Sequence, residues 1–213
     1  MKATLSKNAG RELIAYLEEK GCAIELFGPV ESAAEPVSCH PDMFMCSLKE
    51  DVLYRGDEKL VGRSYPDDIR YNACSTGKFF IHNLRYTDAA LLKKAEELGL
   101  KKIDVAQGYA KCSIVAVDED SVITYDEGIA VACRRAGMNV LKIRPGFVSL
   151  PGYDTGFIGG CSGRLKDEIV FNGNLKEHPD YEAIRSFTES RGLACRCFES
   201  YGLTDIGTII ISA

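Results

Sequence analysis

The residues able to do chemistry in this chain are few: three histidines, nine cysteines and a scatter of aspartates beside glycine or proline. His40 lies in Cys39-His40-Pro41-Asp42, where an imidazole and a carboxylate two positions apart suit a proton acceptor and a holder of cations. His82 precedes Asn83 and His178 precedes Pro179, settings that fit a turn and a helix start. The dipeptide Cys-Ser occurs four times, at Cys46-Ser47, Cys74-Ser75, Cys112-Ser113 and Cys161-Ser162, and Gly207-Thr208 takes a fifth such place. A residue type repeated in this way suits packing, because a buried thiol without a cation beside it stays protonated and inert. Lys111 precedes Cys112, although neighbours on a strand point to opposite faces. Cys112 and Cys161, with His40 as base, are the candidates should the chain be an enzyme. The spacing of Cys39, His40 and Asp42 matches no common zinc pattern, so no metal and no cofactor are expected.

The carboxylates offer a second chemistry. Asp42, Asp154 and Asp205 stand in separate parts of the chain, with Asn72 between the first two. Gathered in one place they would raise one another's pKa unless a cation sat among them. Each one alone is better read as a turn cap beside glycine, and only the set of three stands level with that reading. Tyr71, Tyr109 and Tyr153 supply aromatic faces for a guanidinium or ammonium group, and Lys111 completes the binding candidates. With 26 basic and 31 acidic residues, a net charge of −5 and no long run of one sign, the chain is unsuited to nucleic acid or an anionic membrane. A small cationic partner fits, and the oligomeric state is left open. An odd number of cysteines, the absence of a CxxC pair and an N-terminus without an apolar leader predict reduced thiols in the cytoplasm.

The elements that position these residues repeat. Arg11–Lys20 carries Leu13, Ile14 and Leu17 on one helical face, stops at Gly21 and leads into Cys22–Phe27. Helix, glycine and strand return at Ala89–Val105, Gly128–Ile143 and Tyr181–Phe198, with stop glycines at 99, 137 and 192. The gap from Gly21 to Gly99 is about twice the next, which predicts a degenerate second copy around Asp57–Asp68. After each Cys-Ser comes a polar turn and a short apolar strand: Val52–Tyr54, Phe79–Ile81, Val122–Thr124 and Ile169–Phe171. Five uneven units of helix, strand, strand, strand predict an α/β five-bladed propeller in a single domain over 1–213. The last unit is one strand short, and Lys2–Leu5 is expected to complete it and close the ring. The stretch Leu150–Gly163 holds five glycines in 14 residues, which marks either a binding loop or a tight packing point. It opens onto a hairpin rather than a helix, so it is not a phosphate loop.

Residues His40–Asp42, Tyr65–Asn72, Gln107–Ser113, Asp126–Gly128, Leu150–Gly160, Phe171–Asn174 and Leu203–Gly207 carry a resemblance to the pentein fold of guanidine-modifying enzymes (GME), in particular to short bacterial proteins of that superfamily. The resemblance implies a late-chain cysteine nucleophile, a histidine acid-base and carboxylates gripping the guanidinium. At the implied cysteine position the chain has Thr204-Asp205-Ile206-Gly207, and near the implied histidine it has Tyr153-Asp154-Thr155-Gly156. The expectation is therefore a non-catalytic or degenerate member that binds a small guanidino- or amino-cation in an acidic axial pocket. One alternative is a cysteine-dependent guanidino-group hydrolase or amidinotransferase with a rearranged site. The other is an interaction module resembling the ribosome anti-association factor.

Overall fold

The computed structural model describes residues 1–212. Its chain starts with β1 (Lys2–Ser6), α1 (Arg11–Glu19) and β2 (Ala23–Phe27), followed by the hairpin of β3 (Met45–Lys49) and β4 (Val52–Arg55). Next come β5 (Cys74–Ser75), β6 (Phe79–His82), α2 (Ala89–Glu97) and β7 (Lys101–Asp104). A single turn, α3 (Ala110–Ser113), leads to β8 (Ile114–Asp118), β9 (Ser121–Thr124), α4 (Glu127–Arg135) and β10 (Asn139–Lys142). The chain then passes through β11 (Ser162–Leu165), β12 (Glu168–Phe171), α5 (Tyr181–Glu189), β13 (Ala194–Arg196) and β14 (Ile210–Ser212).

Local chemistry accounts for the recurring unit. Asp88 starts α2 by accepting from the N–H groups of Ala90 and Leu91, and Asp126 starts α4 by accepting from Ile129 N–H. Leu13 and Leu17 of α1, Leu91 and Ala95 of α2, Ile129 and Cys133 of α4 and Ile184 of α5 bury one face of each helix. Each of these four helices is followed by a glycine with positive φ, at 21, 99, 137 and 192, and the chain returns as a strand parallel to the one before the helix. His178 and Pro179 lie before α5 rather than in it, with Asp180 at the helix N-cap.

Strand pairing corrects the expectation of a closed five-bladed propeller. The protein is a mixed α/β structure in which the described strands form five separate small sheets: β14-β1-β2, β3-β4, β5-β6-β7, β10-β9-β8 and β11-β12-β13. Among the described residues no strand pairs with a strand of another sheet, and there is no barrel closure. The units are also unequal, since the β3-β4 hairpin has neither a third strand nor a nine-residue covering helix. Sequence periodicity carries the local hairpin-helix-strand unit; the relation of one sheet to the next depends on side-chain packing that periodicity does not encode.

β1 is the middle strand of its sheet, antiparallel to β14 from Lys2↔Ser212 to Thr4↔Ile210 and parallel to β2. β3 lies against β5, β5 against β8, β8 against β11 and β11 against β14. These neighbours bring together the places where the Cys-Ser dipeptides stand. No helix among the described residues is long and apolar enough to cross a membrane.

Candidate functional site

His40, Asp42, Asn72, Cys112, Asp205 and Thr208, from four separate stretches of chain, meet in a buried cluster. A short turn, Pro41–Met43, follows His40 and turns the Asp42 side chain inward, while Asp42 N–H donates to Gly207 O at 3.2 Å. Cys112 sits on the single turn α3 and not on a strand, so the alternation that would have separated it from Lys111 does not apply. Asn72 clamps these pieces. Its Oδ1 accepts from the N–H groups of Lys111 (3.0 Å) and Cys112 (3.2 Å), and its Nδ2 donates to Asp42 O (3.2 Å) and Cys112 Sγ (3.1 Å).

The two carboxylates are held differently. Asp42 Oδ2 accepts from Thr208 Oγ1 at 2.7 Å and from Cys112 Sγ at 3.2 Å, whereas Asp42 Oδ1 is buried without a hydrogen-bond partner among the described residues. Asp205 Oδ1 accepts from Gly207 N–H and Oδ2 from Phe157 N–H, both at 2.9 Å. His40 Nδ1 lies 3.7 Å from Asp205 Oδ1, too far for a hydrogen bond. Burial lowers the His40 pKa and so favours the neutral imidazole, which leaves the carboxylates without a full counter-charge. Burial raises Asp205 to about 6, and it raises Asp42 as well, with the neighbouring Asp205 charge adding to the rise. The Cys112 thiol is pushed well up by burial and by Asp42 and Asp205, so it stays protonated at neutral pH.

The glycines resolve into close packing against this cluster. A Cβ on Gly160 would fall 2.1 Å from Asp205 Oδ1, and one on Gly159 would fall 2.3 Å from Lys111 O and 2.6 Å from Cys112 O. Gly207 has φ +69°, and its Cβ would meet His40 Cβ at 2.2 Å. Thr208 follows with φ 74°. A β-branched residue held in that region costs on the order of 1–3 kcal/mol. Its hydroxyl offsets the strain by bonding Asp42 Oδ2 and Gly159 O.

Other sequence candidates lie around the cluster. Cys161 is fully buried but its Sγ donates to Ile158 O at 3.1 Å, which is a packing role. Tyr109 donates to Asp68 Oδ2 at 2.7 Å, and its ring stacks 6.0 Å from Phe157, which stacks 5.8 Å from Tyr125. Tyr153 and Asp154 are exposed, so two of the three aspartates converge and not all three. Tyr71 is buried in the apolar core. Lys111 lines a cavity of about 1030 Å³ on the side where the Cys-Ser dipeptides stand, and Thr208 lines it too. His82 is fully buried, with Nδ1 on Thr87 Oγ1 (2.7 Å) and Nε2 on Gly108 O (2.9 Å), which is a structural role. Among the described residues no group of three or more His, Cys, Asp or Glu is arranged to hold a metal ion. Sequence reasoning missed Thr208, Phe157 and Asp68 as parts of the site. Thr208 alone had left a signal, as the fifth member of the Cys-Ser column.

Residues 51–210 match a family of unknown function (DUF6873), and the chain belongs to that family. No curated protein and no solved structure matches the chain.

Proposed function

We propose that the protein binds a small guanidino- or amino-cation at Asp42 and Asp205 and does not turn it over. The observation that carries this reading is Asp42 Oδ1, a carboxylate oxygen buried without a partner beside a second buried carboxylate. A buried acceptor left unpaired costs roughly 1–3 kcal/mol, which a donor cation would recover. The resemblance to guanidine-modifying enzymes favours a guanidinium, whose fork of donors matches carboxylate pairs. Thr208 lines the neighbouring cavity and bonds Asp42 directly, so one side chain stands in contact with both.

A second reading is favoured by the placing of Cys112 and His40 in the same cluster. With Sγ 3.2 Å from Asp42 Oδ2, the thiol has a proton acceptor in reach, as a cysteine-dependent guanidino hydrolase would need. Against it stand the raised thiol pKa and the absence of a hydrogen bond between His40 and Cys112 among the described residues.

Melting temperature against arginine, agmatine and guanidine tests both readings. The expected result is a saturable rise in the parent that Asp42→Asn and Asp205→Asn weaken, with neither ammonia nor a ureido product formed. A product that disappears in Cys112→Ala would establish the enzyme reading instead. Absence of any rise in the parent refutes the binding proposal.

A further inference from the structure

We propose that the cavity beside the buried cluster is a second ligand site, for a small oxyanion (carboxylate or phosphate) seated on Lys111. The inference is independent of the cation reading. Lys111 is half-buried in the wall of a cavity of about 1030 Å³ and makes no ion pair among the described residues. Its ammonium has one long hydrogen bond, 3.5 Å to Ile114 O. A primary ammonium has three donors to satisfy, and one withdrawn from bulk water is seldom left unpaired. Its charge reaches inward, opposing the burial-driven rise of the Cys46, Cys74 and Cys161 thiols. The ammonium is therefore directed to the centre where the Cys-Ser dipeptides gather.

The rest of the lining suits an anion. Ser47, Ser75, Ser162 and Thr208 line the same wall from four different stretches of chain; Ser75 donates to Leu48 O, Ser162 to Gly159 O and Thr208 to Asp42 Oδ2, which among the described residues leaves the Ser47 hydroxyl free to donate. Lys49, Arg164 and Lys166 also line the cavity, without an ion pair among the described residues. Of the four acids there, Asp120 is engaged by Lys78 at 2.6 Å and Asp118 by Arg191 at 4.0 Å, while Glu50 and Glu119 line the cavity at exposed positions. Lys111 is thus the half-buried cation of a lining whose other unpaired charges are exposed, with the free Ser47 hydroxyl on the same wall, a setting in which a charge-assisted bond to an oxyanion is strong.

Calorimetric titration of the full chain at constant ionic strength, with sodium phosphate, sodium acetate and sodium chloride as probes, decides the matter. Saturable binding is expected for phosphate, acetate or both, with chloride giving none, and the two arms separate a phosphoryl from a carboxyl ligand. Lys111→Met should weaken binding by about tenfold or more, the effect of one lost charge-assisted hydrogen bond. Lys111→Arg should retain it. Ser47→Asp, which puts a negative charge in the same cavity without removing the lysine, should also abolish it, so the test survives a failure of Lys111→Met to fold. Equal affinity in the parent and Lys111→Met, or no saturable binding of either oxyanion, would overturn the proposal.

Discussion

Replacing Asp205 by asparagine removes a group whose titration opposes folding at neutral pH, and the size of the effect follows from its burial. The folded carboxyl is raised from 3.8 to about 6 because it is out of water. At roughly 1.4 kcal/mol per pH unit this amounts to about 3 kcal/mol. The native state keeps this proton over a range where the unfolded chain has released it, so the contribution of Asp205 to stability falls as pH rises from about 4 to about 6. His82 works in the opposite sense: burial lowers it from 6.5 to about 4, the unfolded imidazole takes up a proton that the folded one refuses, and stability rises with pH over much the same range. The parent alone therefore conceals both. Urea unfolding of parent and Asp205→Asn at about pH 4.5 and about pH 7.5 separates them, and over this interval the variant should gain about 2 kcal/mol relative to the parent. Asparagine gives up one of the bonds from Phe157 N–H or Gly207 N–H, but that loss is the same at both pH values and cancels. The raised pKa of Asp42 also relaxes once Asp205 is neutral, which adds to the gain. A relative gain below about 0.5 kcal/mol, or a relative loss, would refute the account of Asp205 as a desolvated acid.

Gly207→Ala combines a φ of +69° with a Cβ 2.2 Å from His40, and should destabilise by about 2–5 kcal/mol, whereas Gly21→Ala, at φ +82° with open space around it, should cost about 1–2 kcal/mol in the same urea series. Deleting residues 1–7 takes the middle strand from its sheet together with the buried Ala3 and Leu5, so the melting temperature should drop by about 6 °C or more; a drop under about 2 °C would mean that β14 and β2 do not depend on β1. In the folded protein at neutral pH a thiol reagent should modify the half-buried Cys195 and Cys197 and leave Cys46, Cys74, Cys112 and Cys161 unreacted, and rapid labelling of any of those four would promote it to a nucleophile.

The helices and most strands were legible because their signals are local. Leu13 and Leu17 face the core from α1 as their spacing requires, and each stop glycine takes the positive φ that a residue with a Cβ avoids. Val52–Tyr54, Phe79–Ile81, Val122–Thr124 and Ile169–Phe171 all fall in strands. The closed ring was inferred from repetition, and repetition fixes what a unit pairs with inside itself, not how five unequal sheets meet. In the cluster, His40, Asp42 and Asp205 were legible by residue type, while Thr208 and Phe157 were not: their parts depend on a strained φ and on a backbone N–H, neither of which a side-chain motif records. Asp154 shows the reverse failure. It carries the same glycine-neighbour signature as Asp205, yet the chain leaves it at the surface.

The pairing of β1 with β14 also sets how this protein meets mechanical load. Lys2 faces Ser212 across an antiparallel ladder, so the start of β1 and the end of β14 lie side by side at one end of the same pair of strands. Tension applied at Lys2 and Ser212 meets the hydrogen bonds one at a time, opening the ladder like a zip rather than shearing it. Few contacts share the force at any moment, and the rupture force is correspondingly low. The same geometry delays assembly of this sheet during synthesis, because β1 is made before β14 and waits through some two hundred residues until β14 exists to pair with it. Until then the β1 edge that β14 will occupy presents open amides and carbonyls to whatever strand comes near.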